Sequence, residues 1–399
     1  MTRLKQLALD AFDAQLADLR AFIDIETPSD DRGSLREGLA WVEETMRHRI
    51  GPPDRRRLVG GGDHGDVLVA DYLSADHAAA RVVVLCHYDT VWPVGTLADW
   101  PVSITETRLS GPGAFDMKAG LVQAIWAIRL ARGAGLPMPH LRLVFNGDEE
   151  IGSPVSRPVI EDAVRDCDTV LVFEPSATGR VKTARKGNGI FSITVHGVEA
   201  HAGLDPRAGV SAIGELAEVV RTLHGAADLD AGTSVNVGVI SGGTRSNVIA
   251  GLATATVDVR VSNEREARRI EAVLDGLAPR DGRARLEVSG GWARPVMDRS
   301  PQIVELFNYA RAIARNQGME LGEAAAGGAS DGNFAAALGL PVLDGLGAVG
   351  DGAHARGEWV DLTEVTSRTV LTAEILSSLS EATPSRSRKS DLDGIWLAP

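Results

Sequence analysis

Four continuous apolar runs constrain the fold more than any other feature of this sequence. They read DVLVADYL (66–73), RVVVLC (81–86), LRLVFN (141–146) and TVLVFE (169–174). A strand with one wet face alternates apolar and polar residues, so an unbroken run has to be covered on both faces. Helical patterns lie between and before the runs, over 5–26, 34–49 and 118–132. The first helical pattern stops at Thr27-Pro28-Ser29-Asp30. Apolar runs alternating with helices imply an α/β domain whose sheet is sandwiched between helices.

A different rhythm begins near Lys186. GIFSITVHG (189–197) alternates like a half-exposed strand, and 209–225 is an amphipathic helix. TSVNVGVISGG (233–243) and TATVDVRVS (254–262) read as two more strands. A helix over 263–278 follows, with Asn263 as its N-cap and Glu266 three residues on. RARLEVSGG (283–291) closes the series. The order β-α-β-β-α-β is that of ferredoxin-like domains. The helix pattern at 301–318 then restarts the first rhythm. The expected organisation is a larger domain in two parts, 1–184 and 294–382, with a smaller domain inserted at 185–293. The stretch 383–399 reads as a flexible tail.

A chain of 399 residues has ample length for two cores. Its net charge of −13 argues against nucleic acid or an anionic membrane as principal partner. The two cysteines, Cys86 and Cys167, make neither a disulfide framework nor a structural zinc motif. No window approaches a membrane span, and the first residues carry acidic groups where a leader would be apolar. The expectation is a cytoplasmic protein.

Polar clusters close several segments of the larger domain. His87 and Asp89 follow the second apolar run, Asp148-Glu149-Glu150 follows the third, and Glu174 ends the fourth. Asp116 sits in the Gly/Pro-rich stretch LSGPGAFDMKAGL, and His354 in GDGAHARGEWV. In open α/β sheets the ligand site lies off the carboxyl ends of the strands, where three of these groups fall. Two histidines with several carboxylates suit a borderline metal with N and O ligands, zinc before magnesium. In extended chain His87 and Asp89 face the same way, so Asp89 can orient the ring while its other nitrogen binds metal. Adjacent Glu149 and Glu150 point differently, which allows one to ligate and the other to act as general base. The two oxygens of Asp116 can bridge two ions.

The segments HYDT, GPGAFDMKAG, FNGDEEIGS, FEP, HAG and the late Gly-Ala-His resemble the di-zinc aminoacylase/carboxypeptidase family over about residues 10 to 380. The FEPS context and HAGLDPRAGVSAIGEL are most similar to its glutamate carboxypeptidase branch. The resemblance implies a catalytic domain with a central mixed sheet between helices, and an inserted ferredoxin-like domain that dimerises and closes over the site. It implies two Zn2+ ions per subunit, replaceable by Co2+ or Mn2+. One ion would be held by His87, Asp116 and Glu174, the other by Asp116, Glu150 and His354. Asp89 would orient His87, and Glu149 would be the general base. The family's bridging Asp precedes a cis peptide, and here Met117 follows it. His201 matches the family's oxyanion-stabilising position, in its own or the partner subunit's site. Asn247 and Arg260 match positions that bind the substrate carboxylate, and Arg294 a second cation beside them.

The resulting expectation is a metallohydrolase releasing a C-terminal amino acid, glutamate or another acidic residue, from an N-acyl amino acid or short peptide. Competing readings are a deacylase of the acetylornithine or succinyl-diaminopimelate type and a metal-binding protein with an inactive site. A general base beside a ligand argues against the latter.

Overall fold

The computed structural model describes residues 2–380, and the tail expected over 383–399 lies outside them. The chain divides into two compact units. The larger comprises residues up to Val181, Pro301–Glu323 and the described residues from Leu338 onward; the smaller comprises Lys182–Ser300 and Ala324–Ala337.

The larger unit is built on a six-stranded mixed sheet. Its strands are β1 (Arg55–Val59), β2 (Val67–Tyr72), β3 (Arg81–His87), β4 (His140–Asn146), β5 (Thr169–Val172) and a short strand Val342–Leu343. The order is β1-β2-β4-β3-β5-Val342–Leu343. β3 runs parallel to both β4 and β5, while β1 and β2 run antiparallel to their neighbours. The four apolar runs are β2 to β5, and Val82–Cys86 is buried throughout. β1, an exposed strand led by Arg55, Arg56 and Arg57, forms one edge, where charge discourages further pairing.

Helix α1 (Ala119–Ala134) is apolar on nearly its whole circumference and packs against α4 (Leu362–Leu379). A helix without a polar face is stable only when covered on all sides. The helical pattern at 5–26 resolves into two helices, Arg3–Asp10 and Phe12–Ile23, joined at Ala11. A second, four-stranded antiparallel sheet is made of very short strands ordered Gly350–Asp351, Trp359–Asp361, Arg108–Ser110 and Ser103–Ile104. It joins the segment leading to Asp116 to the hairpin that carries His354.

The smaller unit holds β6 (Gly187–His196), β7 (Ser234–Gly242), β8 (Leu252–Val261) and β9 (Arg285–Arg294), with helices α2 (Ala212–Gly225) and α3 (Glu264–Asp275). Its antiparallel order β7-β8-β6-β9 is the ferredoxin-like arrangement. Alternate residues of β6 and β8 face a core shared with both helices. Asn263 caps α3 by accepting the Glu266 N–H at 3.0 Å. Ala324–Ala337, read from sequence with the larger domain, clusters with this unit. Asn333 Nδ2 donates to the carbonyls of Lys186 and Pro295 at 3.2 and 2.7 Å, and Asp331 pairs with Arg294. Among the described residues, no helix is long and apolar enough to cross a membrane.

Candidate metal centre

The site is assembled at the carboxyl ends of three neighbouring strands. β3 delivers His87, whose side chain is buried. Its Nδ1 lies 3.0 Å from the carbonyl oxygen of Asp89 and 3.4 Å from Asp89 Oδ1. A carbonyl only accepts, so Nδ1 is the donor and Nε2 is left to face the site. The orienting contact therefore comes from the Asp89 backbone as well as its carboxylate.

The Asp89 carboxylate has further work that the sequence reading missed. It accepts Ser29 Oγ–H at 2.7 Å, and the backbone N–H groups of Glu149 and Glu150 at 3.3 and 3.1 Å. It fixes the turn after β4 against the end of β3. Ser29 had been read only as part of a helix stop, and nothing local marks it as a partner of Asp89. Asp148 steadies the same turn from the other side, accepting the N–H groups of Val155 and Ser156 at 2.8 and 3.0 Å.

Asp116 lies in a tight turn, Ala114–Lys118, that includes a cis Asp116–Met117 peptide bond. His354 adopts φ +60° in the hairpin after Gly350–Asp351, a conformation that histidine tolerates better than most residues. The two meet: His354 Nε2 is 3.3 Å from Asp116 Oδ2 and 2.9 Å from Glu150 Oε2. On its other side Asp116 Oδ1 is 3.3 Å from His87 Nε2, and Glu174 Oε1 is 3.5 Å from the same nitrogen. Asp116 thus stands between two imidazoles.

Charge in the cluster is strongly perturbed. Burial opposes a proton on His87, but Asp116, Asp89 and Glu174 hold its pKa well above the ordinary value. Asp116 and Glu150 hold His354 up to about 11. Burial pushes Glu150 up to about 7, with the Asp116 charge adding to it. Asp116 is buried as well, yet the two histidines hold its carboxyl far below the usual range. Such crowding of acids around two rings is costly unless cations sit among them.

Three buried atoms test whether a metal fits. His87 Nε2, Asp116 Oδ1 and Glu150 Oε1 have no hydrogen-bond partner. Each such atom costs about 1–3 kcal/mol. Their three residues form one group in which each can offer a ligand atom within 4.8 Å of the others; His87, Glu149 and Glu174 form a second such group. Nitrogen and carboxylate oxygen donors converging in this way suit a divalent ion such as zinc, and the orphaned atoms are those it would satisfy.

The other sequence-derived candidates lie in the smaller unit. His201 Nδ1 accepts the N–H groups of Gly203 and Leu204, each at 3.1 Å, so the neutral ring carries its proton on Nε2. The Ala202 N–H donates to the Asn247 carbonyl at 3.0 Å, which brings the His201 and Asn247 loops together. Arg260 on β8 is held by Asp258 two residues earlier, through contacts of 2.9 and 3.1 Å. Arg294 is buried, pairs with Asp331 at 2.6 Å and lies over the Phe334 ring. Its charge is matched inside the unit, unlike that of a cation waiting for substrate.

Residues 83–378 match the sequence profile of the peptidase family M20/M25/M40. Carboxypeptidase G2 from a Pseudomonas species is 28% identical over 386 residues, covering 94% of this chain and 92% of that protein. A succinyl-diaminopimelate desuccinylase from Alkalilimnicola ehrlichii is 33% identical, covering 69% of this chain and 77% of its own. Among solved structures, an aminopeptidase from Bacillus cereus superposes with a TM-score of 0.72 at 18% identity, covering 93% of this chain and 99% of that one. A dinuclear metal-binding peptidase from Bacillus subtilis gives 0.63 at 14% identity, covering 93% and 99%. The chain belongs to the peptidase family M20/M25/M40 and is a metal-dependent peptidase or amidohydrolase.

Proposed function

We propose that this enzyme uses two zinc ions to hydrolyse an amide bond and release a C-terminal amino acid, glutamate or another acidic residue, from an N-acyl or peptide substrate. One observation carries the two-metal part: Asp116 lies between His87 and His354, with one oxygen 3.3 Å from each Nε2. His87, Asp116 and Glu174 would hold one ion, and Asp116, Glu150 and His354 the other. Bound zinc would supply Lewis acidity toward the scissile carbonyl and make a nucleophile of water near neutral pH.

The chain's own groups do the rest. Asp89 orients His87 and, through the Glu149 and Glu150 amides, sets the turn that carries both glutamates. Glu149 takes the proton from the attacking water and returns it to the leaving amine. His201 Nε2–H suits donation to a developing oxyanion, where one donor is worth on the order of 3 kcal/mol. Asn247 and Arg260, by resemblance, bind the substrate carboxylate; the pairing of Arg294 with Asp331 makes it the weakest member of this set. A homodimer formed through the smaller unit belongs to the same reading.

The acidic-residue preference draws on similarity to carboxypeptidase G2 along most of both chains. The second reading, a deacylase of acetylornithine or succinyl-diaminopimelate, draws on the higher identity to the desuccinylase over a shorter stretch. Product release by the zinc-loaded protein separates them, using acyl-glutamate, acyl-aspartate, acyl-alanine, acetylornithine and succinyl-diaminopimelate. Preferential release of glutamate or aspartate is the expected result. Preference for either biosynthetic substrate would replace this reading with the second. No release from any of them by protein carrying two zincs would overturn both.

A further inference from the structure

A buried carboxylate outside the ligand set reaches three of the segments that carry it. Glu358 is fully buried and begins four residues after His354. Its Oε1 accepts the N–H of Phe115, the residue before Asp116, at 3.0 Å. Its Oε2 accepts the Trp92 Nε1–H at 3.0 Å. Trp92 lies on the segment that leaves β3 through His87 and Asp89. The Glu358 carbonyl accepts Ser110 Oγ–H at 2.6 Å, which ties the His354 hairpin to the strand leading toward Asp116.

The hairpin is closed tightly around this residue. Gly352, at φ +87°, approaches so near that a Cβ there would lie 2.9 Å from the Glu358 Cα. No side chain could be accommodated, so the backbone two residues before His354 rests on Glu358. The residue therefore meets the His354 hairpin through its backbone and the other two segments through its carboxylate.

We infer that Glu358 is a positioning residue, whose carboxylate clamps the Asp116 turn to the segment after His87 while its backbone anchors the His354 hairpin, and so sets the spacing of the three donors. The inference rests on the two-metal reading of the site. Nothing in the chemistry of Glu358 itself requires contact with metal or substrate. Its two oxygens are occupied by N–H donors from the protein. A partner of this kind acts by fixing where the ligands stand, and its loss typically weakens metal affinity by about 10–100-fold.

Glu358→Gln keeps the shape but replaces one acceptor by an NH2 group, which must then face an N–H donor. The full-length protein would be stripped of metal and titrated with cobalt(II), reading stoichiometry, affinity and the visible absorption of the bound ion. Melting of the metal-free protein would be measured alongside. The expected result is cobalt binding about 10–100-fold weaker with an altered spectrum, together with a lower melting temperature of the metal-free protein from the buried NH2 that faces an N–H donor. Wild-type affinity and spectrum would overturn the inference, whether or not the melting temperature falls, because a merely structural role moves only the latter. If Glu358→Gln does not fold, Trp92→Phe decides. It removes one donor from the clamp and should weaken cobalt binding and shift the spectrum in the same direction, and parental values there overturn the inference equally. Failure of the parent protein to take up two cobalt ions would instead sink the two-metal reading.

Discussion

Asp116 Oδ1 lies 3.3 Å from His87 Nε2, and neither atom has a hydrogen-bond partner. Two buried polar atoms held this close without alignment make sense if an ion completes both. Asp116→Asn should therefore damage both metal positions at once, since the amide offers one oxygen where the carboxylate offers two. The expected loss of affinity exceeds the roughly 10–100-fold produced by altering an outer partner of a ligand. Metal analysis after dialysis checks it. Retention of two ions by the variant would remove Asp116 from the bridging role.

Glu149→Gln separates the base from the ligands. The variant should keep both metals, because the proposed ligand sets do not include Glu149. Turnover should fall by about 10²–10⁴-fold, the range typical of a general acid–base group. Glu149 is near enough to His87 and Glu174 to belong to a possible donor group, so the metal content is the deciding half of the experiment. Loss of one ion on substitution would reassign Glu149 as a ligand.

The strand-end logic of the site was legible because it depends on local pattern. Unbroken apolar runs ending in His87, Asn146 and Glu174 are visible without tertiary information, and so is the Asn263 cap, whose partner is three residues away. What could not be read depends on pairings between distant segments. Ser29 and Asp89 are sixty positions apart and their hydrogen bond has no sequence signature. The sheet that joins the Asp116 and His354 segments uses strands of two or three residues, too short to show alternation. Arg294 entered by resemblance alone, and its pairing with Asp331, thirty-seven positions away, has no sequence signature either.

Protons and metal should compete for this site, with a sign fixed by the shifts. In the metal-free protein His354 is raised to about 11 by Asp116 and Glu150; its pairing with Asp116, which stays ionised, stabilises the fold below the ordinary histidine range and is lost as pH rises toward 11. Glu150 is raised to about 7 by burial, so its ionisation between the ordinary carboxylate range and pH 7 also costs stability. Both effects weaken the metal-free protein as pH rises. Metal requires the deprotonated ligands and is favoured by the same change. The gap in melting temperature between zinc-loaded and metal-free protein should widen from pH 5 to pH 9, and zinc uptake near neutrality should release protons. Thermal melts across pH and calorimetry in buffers of different ionisation enthalpy test the two halves. A constant gap with no proton release would contradict the assignment of His354 and Glu150 as ligands.

Two glycines of α1 should respond oppositely to alanine. Gly120 faces the chain just before Glu174: a Cβ there would lie 2.0 Å from the Phe173 carbonyl oxygen and 3.4 Å from Gly347 Cα. The obstacle is backbone, which cannot rotate aside, and Gly347 itself donates its N–H to the Glu174 carbonyl at 3.0 Å. Gly120→Ala must push α1 away from the strand end that carries Glu174. Overpacking of this kind costs about 1–3 kcal/mol, more than the roughly 1 kcal/mol that alanine contributes to a helix interior. Gly133, near the other end of the helix, has only Leu7 Cδ1 at 3.9 Å, an ordinary contact. Gly133→Ala should therefore gain some of that helix propensity and melt slightly higher. The pair is measured by thermal or denaturant unfolding of the metal-free proteins, with zinc affinity read on each. Gly120→Ala is expected to unfold more readily and bind zinc more weakly, while Gly133→Ala binds zinc as the parent does. Equal tolerance of both substitutions would mean that α1 and the Glu174 strand end do not approach as closely as described.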